Sequence, residues 1–268
     1  MTCSYCYKGF VLPGEPKGSM EGQDYFTPAP NGATQRTKAI VLLTDVFGLP
    51  LPNPRILADH LAEHVDVDVW VPDFFNGKPP FDANKLEPLM PDRAGAKLSW
   101  RDVGLFVFKV LPSIPGFIAS RPSVVDPRVH EAGFIKKIKA EKGYERIGAV
   151  GYCFGGSMAG RLGSTDSVNT IVIAHPSGLT PAQVRAIKVP SCWVLAEEDM
   201  SFKDKDVQAA RDILKEQEEK PDHVDYEFKI WKGTAHGFAV RPNLKVPDVK
   251  AGYEGALDQT VAWFKKTL

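Results

Sequence analysis

The stretch Ala149-Val150-Gly151-Tyr152-Cys153-Phe154-Gly155-Gly156-Ser157 decides how the rest of this chain is read. An apolar run, Ile147 to Val150, precedes it and predicts a buried strand. Small residues from 157 to 162 follow it and predict the start of a helix. A cysteine with glycine two positions before and two positions after marks a sharp strand-to-helix turn. Side chains at those two positions would strike neighbouring backbone, so Gly151 and Gly155 make the turn possible. Such a turn lifts the thiol to the C-terminal edge of a sheet. It also points the Phe154 N–H and the helix N-terminus at one spot, where both favour a thiolate and a developing oxyanion. Glycine-rich turns after a strand also open nucleotide-binding units, and a free cysteine is more often inert core than nucleophile. The remainder of the chain has to choose between these readings.

Composition narrows the choice. The 268 residues are 43% hydrophobic, enough to bury a sizeable core, and Lys plus Arg equals Asp plus Glu at 33 each. No basic excess points to nucleic acid or to an acidic membrane surface. The N-terminus reads as polar, without the apolar core of a signal peptide, and no apolar run is expected to approach membrane-spanning length. The four cysteines are Cys3, Cys6, Cys153 and Cys192. A cytoplasmic, reducing setting without disulfides is the expectation. The Cys3-x-x-Cys6 pair lacks two further ligands at matching spacing and does not open a helix after a strand. It reads as structural or incidental rather than as a zinc or redox motif. No metal constellation and no phosphate-cradling Gly-x-x-x-x-Gly-Lys is present, so neither metal nor cofactor is expected.

Strands are predicted over residues 38–43, 67–71, 147–150, 169–174, 189–195 and 224–231, from β-branched, aliphatic or alternating runs. Helices are predicted over 54–64, 98–111, 129–142, 203–219 and 249–266. In the second, Val103, Phe106, Val107 and Val110 share a face. In the third, Phe134, Ile135 and Ile138 point inward and Gly143 is the C-cap. Residues 1–37 read as an N-terminal edge extension, its aromatics (Tyr5, Tyr7, Phe10, Tyr25, Phe26) lying on short edge strands, with a hairpin or loop at 31–37. Residues 74–98 form a proline- and glycine-broken excursion placed to rim the sheet. Strands alternating with helices over the whole length predict a single domain, 1–268, of α/β class: a doubly wound, mostly parallel sheet with helices on both faces.

Three chemically able groups then fall at strand ends, in the order Cys153, Asp199, His236. Nucleophile, acid, histidine is the chain order of α/β-hydrolases. In that division of labour Cys153 attacks an acyl carbon, His236 takes and returns the proton, and Asp199 fixes the imidazole tautomer. The amides of Phe154 and Val46 are the candidate oxyanion donors. Glu197 and Glu198 compete with Asp199 for the histidine. His175 also ends a strand and could line the pocket, but it precedes the acid and is misplaced for the base.

The segments Thr44-Asp45-Val46-Phe47-Gly48, Pro72-Asp73-Phe74, Gly151-Tyr152-Cys153-Phe154-Gly155-Gly156, Ala196-Glu197-Glu198-Asp199 and Ala235-His236-Gly237-Phe238 resemble the dienelactone hydrolase family (carboxymethylenebutenolidases). Residues 6–18 resemble its fungal members. The resemblance implies an α/β-hydrolase fold and a Cys-His-Asp triad, Cys153, His236 and Asp199, that opens cyclic enol lactones. It implies that Asp45 takes the place of a family glutamate that touches the resting thiol. It places Arg241 near a family arginine that holds the substrate carboxylate, with Arg101 or Lys97 as candidates for a second. Gly237 stands where bacterial members carry serine.

The sequence is therefore read as a cofactor-independent hydrolase of small activated esters or enol lactones, working through a thioester on Cys153 as a monomer or homodimer. A small-molecule ester or lactone is its partner, and neither nucleic acid nor membrane is expected. Two other readings stand beside it. One is a thioesterase or lactone-opening hydrolase of secondary metabolism. The other, motivated by the departures at Asp45 and Gly237, is an inactive hydrolase fold that binds a ligand.

Overall fold

The computed structural model of the chain describes residues 10–31, 37–130, 133–221 and 223–268. The Cys3–Cys6 pair, Tyr5, Tyr7 and most of the loop expected at 31–37 lie outside them. Eight strands among the described residues form one sheet: β1 (Ser19–Glu21), β2 (Asp24–Thr27), β3 (Lys38–Leu43), β4 (Asp68–Val71), β5 (Arg146–Tyr152), β6 (Thr170–Ala174), β7 (Ser191–Glu198) and β8 (Tyr226–Ala235). Their spatial order is β1-β2-β4-β3-β5-β6-β7-β8. From β4 to β8 every neighbouring pair is parallel, while β1 and β2 add an antiparallel edge. Parallel strands need crossovers that return over a sheet face, which is why their residues are apolar on both sides.

The helices supply those crossovers: α1 (Asn53–Val65), α2 (Ala83–Leu86), α3 (Trp100–Val110), α4 (Ile114–Ala119), α5 (Pro122–Val129), α6 (Phe134–Lys142), α7 (Phe154–Leu162), α8 (Pro181–Arg185), α9 (Asp204–Glu218) and α10 (Pro247–Thr267). Period-two alternation in β3 sends Ala39, Val41 and Leu43 to one core and Ile40 and Leu42 to the other. The first core is closed by Val125, Ile138, Met158, Val184 and Ile213 from α5 to α9. The second is closed by Leu57 and Leu61 of α1 and by Trp263 and Phe264 of α10. This is the doubly wound, mostly parallel sheet that the strand and helix pattern implied and the α/β-hydrolase-like fold that the resemblance implied, with every predicted strand present among the described residues.

The described part of the N-terminal segment is an edge extension, tied down by two buried polar side chains of α1. Asp59 accepts from Tyr25 Oη (2.8 Å), Thr27 Oγ1 (2.5 Å) and the Lys17 amide (2.6 Å). Asn53 accepts from the Leu12 amide (3.1 Å), and its Nδ2 donates to the carbonyls of Phe10 and Val240 (both 2.8 Å). The extension is thereby fixed to the loop after β8.

Three expectations are corrected. The helix predicted at 129–142 begins at Phe134, because Gly133 makes a tight turn in which a Cβ would lie 2.1 Å from the Arg128 carbonyl oxygen. Its inward residues and its left-handed Gly143 cap (φ 76°) are as expected. Second, the apolar face predicted for 98–111 is only partly covered: Phe106 and Val110 pack, half-buried, against a small core of Phe10, Phe47, Leu51, Ala83 and Leu86, while Val103 and Val107 stay exposed. α3 forms behind a Ser99–Asp102 capping box, yet none of its residues is buried, with Trp100 88% and Phe108 72% exposed. Periodicity reports an apolar face, not what covers it. Third, Trp100–Ala119 is long and apolar enough by composition to cross a membrane, although its helix is interrupted by a 3₁₀ turn at Leu111–Ser113.

Two substitutions separate these regions. Gly151→Ala would place a Cβ 1.9 Å from the Gly155 carbonyl oxygen. It should cost roughly 3 kcal/mol or more, read as a fall in the thermal midpoint of ~6 °C or more. Phe108→Ser should change stability by no more than about 0.5 kcal/mol in the same melt.

Candidate active site

The site begins with a backbone that only glycine-flanked sequence can follow. β5 ends at Tyr152, and Cys153 takes φ 55°, ψ −111°, a conformation that costs about 1–3 kcal/mol for a residue with a Cβ. The turn is held from both sides. The Cys153 amide donates to the Ala174 carbonyl (3.1 Å), the Ser177 amide donates to the Cys153 carbonyl (3.2 Å), and the Gly155 amide donates to the Thr44 carbonyl (3.1 Å). A Cβ on Gly155 would stand 2.2 Å from the Leu43 carbonyl oxygen. The thiol is thereby set at the C-terminal end of the sheet, almost covered at 6% exposure.

His236, one residue past β8, meets the thiol. Its Nδ1 lies 2.8 and 2.9 Å from the two carboxylate oxygens of Asp199, and its ring interacts electrostatically with the Cys153 side chain. Nδ1–H facing a carboxylate leaves Nε2 for the sulfur. Asp199 is itself oriented, accepting from the Ser201 (2.7 Å) and Phe202 (3.0 Å) amides. The competing acids are engaged elsewhere: Glu197 accepts from the Gly233 amide (2.7 Å) and Glu198 from the Gly95 amide (2.8 Å). Burial opposes a charge on His236, but the adjoining Cys153 and Asp199 outweigh it and push its pKa up to about 10. An imidazolium at His236 is thus the charge state this geometry favours.

A second cluster lies beside the first. Arg241 is 1% exposed; its Nε donates to Asp45 Oδ2 (2.7 Å) and its NH1 to Glu87 Oε2. The Phe47 ring covers the guanidinium, 4.7 Å from centroid to Cζ. Asp45 also accepts from the Phe47 amide (3.0 Å). Its hydrogen bonds therefore run to Arg241 and its own loop, and the thiol contact that the resemblance implied for it is not among them. Burial raises the Glu87 pKa, while Arg241 pulls it back.

Phe154 opens α7, where the first amide has no partner within the helix, and Val46 follows Asp45 on the loop after β3. Those are the two positions the oxyanion reading needs. His175 does not line the cleft. It is fully buried at φ 33°, its ring 5.1 Å from that of His236 and 5.8 Å from Phe238. Arg101 is exposed on α3 and is not among the residues lining the cleft, because the outward α3 carries it away. Lys97 does line it.

The excursion over 74–98 forms the rim, as expected. A hollow of about 260 Å³ lies over His236 and Asp199, walled by Met90, Pro91 and Ala96. These three residues also wall a hollow of about 580 Å³ over Glu87 and Arg241. Two site residues escaped the sequence reading. Glu87 sits in an aperiodic segment, 154 positions from its partner Arg241. Ser177 places its hydroxyl 3.8 Å from Cys153 Sγ. The only sequence signal for it was its place just beyond a strand end, shared with His175.

Fold, strained elbow and oriented histidine define an α/β-hydrolase-like enzyme of the ester-hydrolase type. The profile of the dienelactone hydrolase family matches residues 113–268, more than half of the chain, and the chain belongs to that family. The hydrolase tropI of Talaromyces stipitatus is 28% identical over 98% of this chain and 95% of its own length. A human carboxymethylenebutenolidase homolog is 27% identical over 90% and 86%. Among solved structures, a dienelactone hydrolase-like promiscuous phosphotriesterase from metagenomic libraries superposes with a TM-score of 0.61, at 17% identity, over 91% of this chain and 92% of that one.

Because the folded His236 pKa lies above its unfolded value of about 6.5, its charge stabilises the fold fully below that pH. That stabilisation is lost as pH rises through about 10. Nuclear magnetic resonance titration of the imidazole should find it protonated at pH 8, and Asp199→Asn should lower its pKa. The urea midpoint of wild type should fall between pH 7 and 10 more than that of His236→Gln.

Proposed function

We propose that the chain hydrolyses small activated esters and enol lactones through an acyl-thioester on Cys153. The Cys153 thiolate attacks the acyl carbon, and the carbonyl oxygen gains charge at the Phe154 and Val46 amides. The bond to the leaving oxygen breaks as the His236 imidazolium gives it a proton. Water then attacks the thioester and yields its proton to His236. The acid leaves, and thiolate and imidazolium are restored. Asp199 holds the ring in place throughout.

The observation that supports this reading is the His236–Asp199 hydrogen bond next to Cys153, gathered at the ends of three strands around a backbone strained at the thiol. Similarity to a protein named as a carboxymethylenebutenolidase homolog supports the lactone part. A thiolate is a good leaving group as well as a good nucleophile, so its tetrahedral adduct collapses forward only when the departing oxygen is more stable. Enol lactones and aryl esters meet that condition and alkyl esters do not.

Hydrolysis of a neutral enol lactone (α-angelica lactone), 4-nitrophenyl acetate and an acyl-thioester by wild type, Cys153→Ser and His236→Ala tests the proposal. Wild type should turn over the first two, and each variant should lose at least about a hundredfold in kcat/KM. Preference for the thioester would replace this reading by a thioesterase. Activity that survives both substitutions would remove the thiol from the chemistry.

A further inference from the structure

Arg241 is the buried cation among the described residues lining the hollow of about 580 Å³, and two carboxylates engage it. Much of the Arg241 guanidinium is engaged: Nε donates to Asp45, NH1 donates to Glu87, Phe47 covers one face, and NH2 lies beside Gly237. A Cβ on Gly237 (φ 94°) would come within 2.7 Å of that NH2, so glycine is what lets the loop close on it. Two carboxylates against one guanidinium leave the cluster with one negative charge in excess when both are ionised. The cluster is close enough for Arg241 to interact electrostatically with Cys153, and Glu87 with His236. Two further cations line the same hollow, Arg93 and Lys97, but both are exposed, and Arg93 lies 3.8 Å from Asp92. Solvent screens such outer charges far more than it screens a buried carboxylate.

From this we infer that Glu87 is a specificity-determining residue that excludes anionic acyl groups, and that the substrate is a small ester or lactone carrying no carboxylate. The inference rests on the proposed reaction at Cys153 and names its substrate class. An acyl chain ending in a carboxylate would reach Arg241 beside the Glu87 carboxylate already paired with it, and would meet the cluster's excess like charge. A neutral chain meets no such cost. Unfavourable charge placed against the wrong ligand is a common route to selectivity.

Two acyl chains of nearly equal size provide the test. 4-nitrophenyl butyrate and 4-nitrophenyl hemisuccinate differ chiefly in a terminal carboxylate. For wild type the butyrate-to-hemisuccinate ratio of kcat/KM should be at least about ten, and Glu87→Gln should bring that ratio down by at least about tenfold. Glu87→Asp retains the charge and should keep a ratio closer to wild type. A second readout needs no turnover: alkylation of Cys153 by neutral iodoacetamide and by anionic iodoacetate, normalised to the same pair on glutathione. Wild type should disfavour iodoacetate by at least about fivefold, and Glu87→Gln should relieve it. Should Glu87→Gln fail to fold, the wild-type alkylation ratio still decides. Equal or better use of the anionic reagents by wild type would overturn the inference. Hydrolysis of the butyrate that persists in Cys153→Ala would instead overturn the proposed reaction, while the alkylation ratio would still report on Glu87.

Discussion

The close approach of the Cys153 turn to the end of β3 is the constraint on which the site depends. Gly155 lies so near the Leu43 carbonyl that a single methyl group cannot be inserted. That contact brings the loop after β3, with Asp45 and Val46, against the start of α7. Because the sheet is parallel, the ends of β6, β7 and β8 arrive on the same edge. The thiol, the acid, the histidine and the two candidate oxyanion amides share one place because the strands share one direction.

Electrostatics explains why such a site is not simply core. Asp45, Arg241 and His236 are all buried, and removing charges from water costs several kcal/mol per ion before partners repay it. A cluster of this kind is weak as a device for stability. It does allow fixed charges to act across short distances where water cannot screen them. Asp199 and Cys153 hold a proton on His236, while Asp45 and Glu87 consume the charge of Arg241. In the proposed reaction the first pair borders the attacking thiol, and the second sets the charge beside it.

Much of this was legible along the chain. The strand runs appeared where the β-branched and aliphatic residues lie, because a strand buried on both faces leaves no other composition. The elbow was legible because steric exclusion at two positions demands glycine. Asp199 and His236 were legible because each follows its own strand by few residues. What failed was the fate of apolar surface. The spacing in 98–111 correctly marked a helix, but the same spacing serves a helix buried in a core and one that only rests part of its face on a small one. Arg101 was misplaced for the same reason, since the outward helix carries it from the cleft. Asp45 was assigned to the thiol by resemblance, whereas its hydrogen bonds go to an arginine 196 positions later.

The sequence by itself determined the order of elements, the strained turn and the identity of the groups that can do chemistry. These depend on local sterics and on patterns spanning a few residues. Only the tertiary structure decided which acid holds His236, because Asp199, Glu197 and Glu198 are neighbours in sequence and differ only in what faces them. It alone brought Glu87 from an aperiodic rim onto Arg241. Charges separated by many residues interact through space, and their distances exist only once the sheet has closed.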